Sequence, residues 1–237
     1  MALTLAAACA ALLGPSREAR AQYTARRPSP FQAEKARRLI SERLPCLGCH
    51  VLDGEGGRIG PDLSDVGSRR SPEFIYGMIR DPQRAAPGSI MPRTPMAAER
   101  VELLANYLAY RGGPSATTAA AANPAARSNT PDAASLYERS CAACHGATGQ
   151  GNGPNAQFLP VRPTAHADSA YMSTRPDDVL YDAIFAGGRV MNRSHRMPAF
   201  GHTLSRDEIR GLVRHLRKLC RCEGPAWSRD GAGIIRP

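Results

Sequence analysis

The chain has 237 residues, of which 42% are hydrophobic and only 5% aromatic, so its length is enough for one large domain or two small ones. Its net charge is +10, and nearly all of its basic residues are arginine. These arginines are interspersed with acidic residues and no aromatic stacking motif accompanies them. The composition therefore disfavours a nucleic-acid-binding protein. The arginine excess reflects either a genome rich in arginine codons or a basic surface that attracts acidic partners.

The N-terminus predicts export. Residues 2–14 are apolar but too few to span a bilayer as a helix. The sequence Ala19-Arg20-Ala21 then matches an A-x-A cleavage pattern, so we interpret residues 1–21 as a secretory signal peptide. We expect a periplasmic protein. A lipoprotein anchor at Cys9, which would attach the chain to a membrane, is an open alternative.

Two stretches of the chain repeat one order of features. Residues 113–132 are rich in Ala and Pro and are typical of a linker. On either side lie residues 31–112 and 133–223, here called the first and second unit, and a tail of residues 224–237 follows. Each unit has a leading helical stretch, a C-x-x-C-H motif, a glycine-rich loop, a middle helix, a Met-Pro pair and a final helix. This repetition predicts the same domain twice.

Local signals predict an all-α fold. A helical stretch covers residues 31–44, and Ser71 with Pro72 forms a helix start. Ser205 and Glu208 form a capping box. Neither unit shows a period-two pattern typical of strands. Because a unit of under 100 residues with few large apolar side chains buries little surface, we expect each to need a further group in its core.

Three chemistries use a pair of cysteines two apart, as in "CLGCH" (46–50) and "CAACH" (141–145). A structural zinc site needs four N or S ligands, and neither unit offers a second pair. A redox disulfide of this spacing follows a strand in a βαβ unit, and neither unit shows that setting. The remaining chemistry is covalent attachment of haem c, of which C-x-x-C-H is the signature.

The haem interpretation gives every Cys and His of both motifs a role. It predicts two covalently bound haem c groups. Each Cys thiol adds across a haem vinyl group, and each His directs its imidazole at the iron. The residues concerned are Cys46, Cys49, Cys141 and Cys144 for attachment, and His50 and His145 for the iron.

The sixth iron ligands are predicted from the two Met-Pro pairs, at Met91 and Met197, which occupy matching places before the final helices. A methionine thioether opposite His raises the reduction potential and closes the iron to substrates. Met96 in the first unit, and Met191 and His195 in the second, remain alternatives.

Both units resemble class I c-type cytochrome domains, and the whole chain resembles dihaem cytochromes c. The motifs that carry the resemblance are "CLGCH…IGPDL…SIMP…LLANYL" and "CAACHG…GQGNGP…RMPAF…LSRDEI". It implies two tandem all-α haem domains, in each of which the first and last helices cross over the haem. It also implies that the carbonyl of Pro61 accepts a hydrogen bond from His50, and that Pro154 has this part for His145.

Several residues stay outside these motifs. Cys220 and Cys222 suit a disulfide with each other or with a partner chain in an oxidising compartment. Arg162, Arg189 and His166 are candidates for contacts with haem propionates.

The function predicted from these features is that of a periplasmic dihaem cytochrome c that carries single electrons between proteins and is not an enzyme. Its partners would be redox proteins with acidic docking surfaces, or a membrane respiratory complex, and no small-molecule substrate is expected. One alternative is a dihaem peroxidase or sulfur-oxidising enzyme, which needs an iron with an open face. Another is a fixed haem subunit of a larger dehydrogenase or oxidase complex.

Overall fold

A computed structural model of the protein describes residues 23–112 and 132–225. The predicted signal peptide, the linker up to residue 131 and the tail beyond residue 225 lie outside the described residues. Within those two ranges the chain is helical and rich in loops, and no helix has both the length and the apolar character needed to cross a membrane.

The first unit starts with α1 (Pro30–Arg38), which is continued by a π-helical turn (Leu39–Arg43) and a 3-10 turn (Pro45–Gly48). The sequence predicts one continuous helix here. The winding changes because Pro45 disfavours helical geometry in the residue before it, and Leu44 is accordingly extended, with φ −102° and ψ 156°. The break places the first cysteine motif immediately after a bend.

A short β-hairpin follows the first motif, although no strand was expected. Asp53 and Gly54 both have positive φ, as a tight hairpin turn requires. The Asp-Gly pair is a sequence signal for such a turn, but strands of two residues are too short to show periodicity. The remaining elements of this unit are β1 (Val51–Leu52), β2 (Glu55–Gly56), α2 (Val66–Arg69), α3 (Pro72–Arg80), α4 (Pro82–Ala85) and α5 (Ala98–Ala109).

The second unit follows a similar order. Its elements are α6 (Ala133–Ser140), α7 (Ala142–His145), a 3-10 turn (Ala156–Phe158), α8 (Ser169–Ser173), α9 (Asp177–Ala186) and α10 (Arg206–Cys220).

The helix starts predicted from local signals are confirmed. The Ser71 hydroxyl accepts a hydrogen bond from the amide of Phe74 at the start of α3. Ser205 and Glu208 form the complete capping box of α10. Both caps satisfy amide groups that a helix leaves without an internal partner.

Two separate clusters of buried side chains form the core, one in each unit. In the first, α1 packs against α5, and in the second, α6 packs against α10. Met96 and Leu204 stand at matching positions of the repeat, and each packs on the cluster of its own unit. The first and last helices of each unit thus enclose its core.

The two units also contact each other through the segment that precedes α10. The Arg93 amide donates to the hydroxyl of Thr203 at 2.9 Å, and the Arg189 guanidinium donates to the carbonyl of Arg43 at 3.1 Å. A linker sequence sets no angle between two units, so these contacts were not predictable from it.

Cys220 and Cys222 are joined to each other at the end of α10, with their Cα atoms 5.1 Å apart. Of the two expected alternatives, the structure contains the disulfide within the chain.

Candidate functional site

Each cysteine motif is wound into a single tight turn. The Cys46 carbonyl accepts hydrogen bonds from the amides of Cys49 at 3.2 Å and His50 at 2.9 Å. In the motif at residues 141–145, the corresponding distances are 3.1 and 2.9 Å. Since the two turns share one pattern of hydrogen bonds, both motifs gather two thiols and an imidazole in the same way.

The four thiols of these motifs are not joined in disulfides. Burial raises the pKa of Cys46 to about 11 and those of Cys49 and Cys141 to about 12. The pKa of Cys144 is also raised by burial, against a lowering effect from the Asn155 side chain. Across residues 23–112 and 132–225, no three His, Cys, Asp or Glu side chains are grouped so that they could hold one metal ion.

The His50 imidazole is held by the backbone behind it. Its Nδ1 lies 2.7 Å from the carbonyl oxygen of Pro61, the contact that the cytochrome resemblance implies. Burial lowers the pKa of His50, and this carbonyl partly offsets the shift. Gly60 lies against the ring, and a Cβ there would overlap Cε1. Because Nδ1–H donates to Pro61, the lone pair of Nε2 is available for a metal.

His145 has the equivalent contact with a different residue. Its Nδ1 lies 2.9 Å from the carbonyl oxygen of Thr164, so the prediction for Pro154 was wrong. The carbonyl of Pro154 instead accepts a hydrogen bond from Gln157 at 3.1 Å. The carbonyl partner comes 19 residues after His145 but only 11 after His50, because the second loop includes an extra 3-10 turn. Three prolines, Pro154, Pro160 and Pro163, stand between His145 and Thr164, and none of their positions singles out Thr164.

His166 supports the second imidazole in a way that the sequence did not indicate. Its ring stacks on that of His145, with centroids 4.0 Å apart and planes 13° from parallel. The Tyr137 hydroxyl lies 3.0 Å from Nδ1 of His166 and donates to the carbonyl of Gly146 at 3.1 Å. Burial lowers the pKa of His166 well below its usual value, which favours an uncharged ring in this stack.

The first unit contains an apolar cleft beside its cysteine motif. Cys46, Met91 and Met96 all contribute to its wall, and the Met91 carbonyl accepts a hydrogen bond from Gln83 at 2.7 Å. The other lining residues are mainly aliphatic: Ile40, Leu44, Pro45, Leu63, Ile79, Thr94, Leu104 and Leu108. An apolar cleft with one attachment thiol, that of Cys46, in its wall suits an apolar group tethered there, and both methionines line the same cleft.

In the second unit, two candidate ligands of the iron, Met197 and His195, have different surroundings. Met197 lies in a loop pinned by hydrogen bonds to Gly188 and Ser194, at 3.1 and 3.2 Å. His195 points its Nε2 at the carbonyl oxygen of Ser41 in the first unit, 3.1 Å away. This nitrogen is therefore engaged in the contact between the units.

The comparison with known protein families agrees with this geometry. Residues 128–216 match the family described as cytochrome c oxidase, cbb3-type, subunit III. This part of the chain is a cytochrome c domain. The matched range covers the second unit almost completely and includes its cysteine motif, Thr164, His166 and Met197.

Individual relatives resemble parts of the chain. A "Cytochrome c oxidase subunit 2" from Alkalihalophilus pseudofirmus is 33% identical over 90 residues, which are 34% of this chain and 26% of the relative. A subunit of nitric oxide reductase from Stutzerimonas stutzeri is 31% identical over 30% of this chain and 53% of the relative. The chain thus spans about a quarter and about half of these two proteins. The solved "KustC0563 c-type cytochrome" is 26% identical, with a TM-score of 0.31, over 38% of this chain and 98% of its own length.

Arginines around the cytochrome domain mostly contact the backbone. Arg162 donates to the carbonyls of Gln150 and Gly151, each at 3.4 Å, and Arg189 contacts the first unit as described above. Arg196 was not singled out from the sequence. Its Nε and Nη1 are buried and meet no acceptor within the described part of the chain, and burial lowers its pKa. Its backbone packs against Gly48, so Arg196 lies beside the first attachment motif.

Proposed function

We propose that the protein is a dihaem electron carrier of the periplasm. The observation that supports this most directly is the matched setting of two imidazoles: Nδ1 of His50 and of His145 each contacts a backbone carbonyl, next to a pair of unjoined thiols. This arrangement suits an imidazole whose Nε2 binds iron. When bound, haem c supplies a one-electron couple between ferric and ferrous iron.

The residues have distinct parts in this proposal. Cys46, Cys49, Cys141 and Cys144 tether the two haems, and His50 and His145 bind the irons. Pro61 and Thr164 orient the two imidazoles. Met91 and Met197 complete the coordination and exclude other ligands, so we propose a carrier and not an enzyme.

The partners we propose are redox proteins that present acidic surfaces to this basic chain. The two curated relatives are named as subunits of an oxidase and of a reductase. This supports a second form of the same proposal, in which the chain is a fixed haem subunit of a respiratory complex.

Haem content tests the attachment sites. Wild-type protein exported by cells competent in cytochrome c maturation is expected to carry two covalently bound haems per chain. A double substitution in either motif, Cys46→Ser with Cys49→Ser or Cys141→Ser with Cys144→Ser, should leave one. A wild-type chain with one haem would contradict the dihaem proposal.

Spectroscopy tests the carrier proposal. Both oxidised haems should show the weak long-wavelength absorption band of a methionine–iron bond, and the reduced protein should not bind carbon monoxide. Replacement of Met91 or Met197 by Ala should abolish the band of one haem. Carbon monoxide binding by the wild type, or consumption of added peroxide, would favour the enzyme alternative.

A further inference from the structure

The two cysteine motifs lie next to each other across the contact between the units, and one side chain connects them. Asn155 follows the second motif in sequence, and its side chain is buried, with 3% exposed. A buried amide is costly unless its hydrogen bonds are satisfied, and Asn155 satisfies its own with atoms of both motifs and the loop around them.

Asn155 is first anchored to the motif of its own unit. Its backbone amide donates to the carbonyl of Ala143 at 2.9 Å, and its side-chain Nδ2 donates to Sγ of Cys144 at 3.2 Å. With haem attached, this sulfur is a thioether, which remains a weak acceptor.

The same side chain then reaches the other unit. Nδ2 also donates to the carbonyl of Gly48 at 2.9 Å, inside the first motif, and Oδ1 accepts from the amide of Arg58 at 2.7 Å. The neighbouring amides of Gly57 and Ile59 bond to the carbonyls of Leu47 and Cys49. The loop therefore wraps the first motif and turns only the Arg58 amide outward, to Asn155.

Two further contacts hold this junction closed. The Arg58 guanidinium lies over the Phe158 ring, 4.5 Å from its centroid. Gly57 is the residue against which the Asn155 amide packs, and a Cβ at that position would overlap the amide at 2.7 and 2.8 Å. The segments that carry the two cysteine motifs therefore meet here.

We propose that Asn155 is a positioning residue for electron exchange within the chain. By clamping the two attachment segments together, it sets the separation across which one electron leaves the ferrous iron of one haem and reduces the ferric iron of the other. The donor iron becomes ferric and the acceptor ferrous, and no proton or further reactant takes part. This inference rests on the proposed dihaem function.

The experiment compares the purified two-haem protein with Asn155→Ala and Asn155→Asp. The aspartate keeps an acceptor for the Arg58 amide but loses the donor to Gly48 and Cys144. Gln157→Ala is the matched control, because it removes an exposed amide two residues away whose side chain contacts only the local carbonyl of Pro154. Rapid photoreduction of one haem should be followed by a concentration-independent phase of electron redistribution. We expect this phase to slow several-fold in both Asn155 variants and to be unchanged in the control.

Soret circular dichroism of the oxidised protein supplies a readout that does not depend on electron transfer. The wild-type spectrum should differ from the sum of the two single-haem variants, because chromophores held at a fixed separation couple. The Asn155 variants should approach that sum. Wild-type rates and spectra in folded, two-haem Asn155 variants would overturn the role of Asn155 and leave the proposed function standing. A wild type with fewer than two redox-active haems would overturn the proposed function itself.

Discussion

Two imidazoles in this chain are oriented by backbone carbonyls, and their immediate surroundings differ. His50 is confined by Gly60, whereas His145 is covered by the ring of His166. A backbone carbonyl is a partner that does not change protonation state, and it fixes which ring nitrogen carries hydrogen. The geometry at both sites therefore depends on loop conformation more than on the identity of the carbonyl-bearing residue.

Gly60→Ala is expected to displace His50. The added methyl group overlaps the imidazole, and overpacking of this kind costs about 1–3 kcal/mol in the free energy of unfolding. A redox titration with thermal unfolding should show a shifted potential for one haem and a less stable first unit. Gly211→Ala is the comparison, because it has room in α10 and should stabilise the second unit by about 0.5–1 kcal/mol. If both substitutions changed the reduction potential and the free energy of unfolding equally, neighbouring atoms would be moving to relieve the clash with the His50 imidazole.

Arg196→Met is expected to lower the reduction potential of the haem in the first unit. A partly buried cation disfavours the more positive ferric state, so its removal stabilises that state. Potentiometric titration of the protein and of the exposed-residue control Arg210→Met would show the difference. An unchanged potential in Arg196→Met would mean that the guanidinium is neutralised in the haem-bound protein.

Among the helices, α9 and α10 are connected by an ion pair that is largely withdrawn from water. Arg217 Nε lies 2.8 Å from Asp177 Oδ1, and the two side chains are 13% and 17% exposed. The same guanidinium donates to the carbonyls of Met172 and Arg175. One arginine on α10 thus fastens the start of α9 and the end of α8.

Asp177→Asn should therefore destabilise the second unit by up to about 3–5 kcal/mol, since the largely buried Arg217 guanidinium keeps its two carbonyl acceptors but loses its counter-charge. Asp207→Asn is the matched control on α10. Its pair with Arg210 has side chains 91% and 52% exposed, and such a pair contributes about 0–1 kcal/mol. Chemical denaturation of the two variants measures the contrast, and similar losses would argue that Arg217 is held by the carbonyls alone.

Among the features of the helices, the sequence predicts well those that neighbouring residues determine. Ser71 and Ser205 cap helices through contacts within one turn, so their parts were evident. The partner of His145 was not, because it depends on where a long loop returns to the ring. The contact between the units depends on the fit of two folded surfaces, for which neither Asn155 nor the Ala-rich linker carries a local signal.

Over the whole molecule, the dominant electrostatic property is an excess of ten positive charges. A surface of one sign attracts oppositely charged partners over about a Debye length, roughly 8–10 Å at moderate salt. Association steered in this way weakens as salt screens it.

Reduction of the two-haem protein by a small anionic reagent should consequently slow as ionic strength rises, whereas reduction by a cationic reagent should accelerate. Stopped-flow measurements at several salt concentrations provide the test. The same salt dependence for both reagents would indicate that local charges at the haem edges, and not the overall excess, govern access.

The disulfide at the end of α10 has a consequence for how the protein matures. The described part of the chain has six cysteines, and two of them are joined to each other, while the proposed function requires the other four to remain reduced until haem arrives. Each of the two attachment motifs also presents cysteines close in sequence that would compete for oxidation. The proposed function, with export to an oxidising compartment, therefore calls for a reductant that keeps both attachment motifs open, and chains that oxidise there first would be lost as haem-free material.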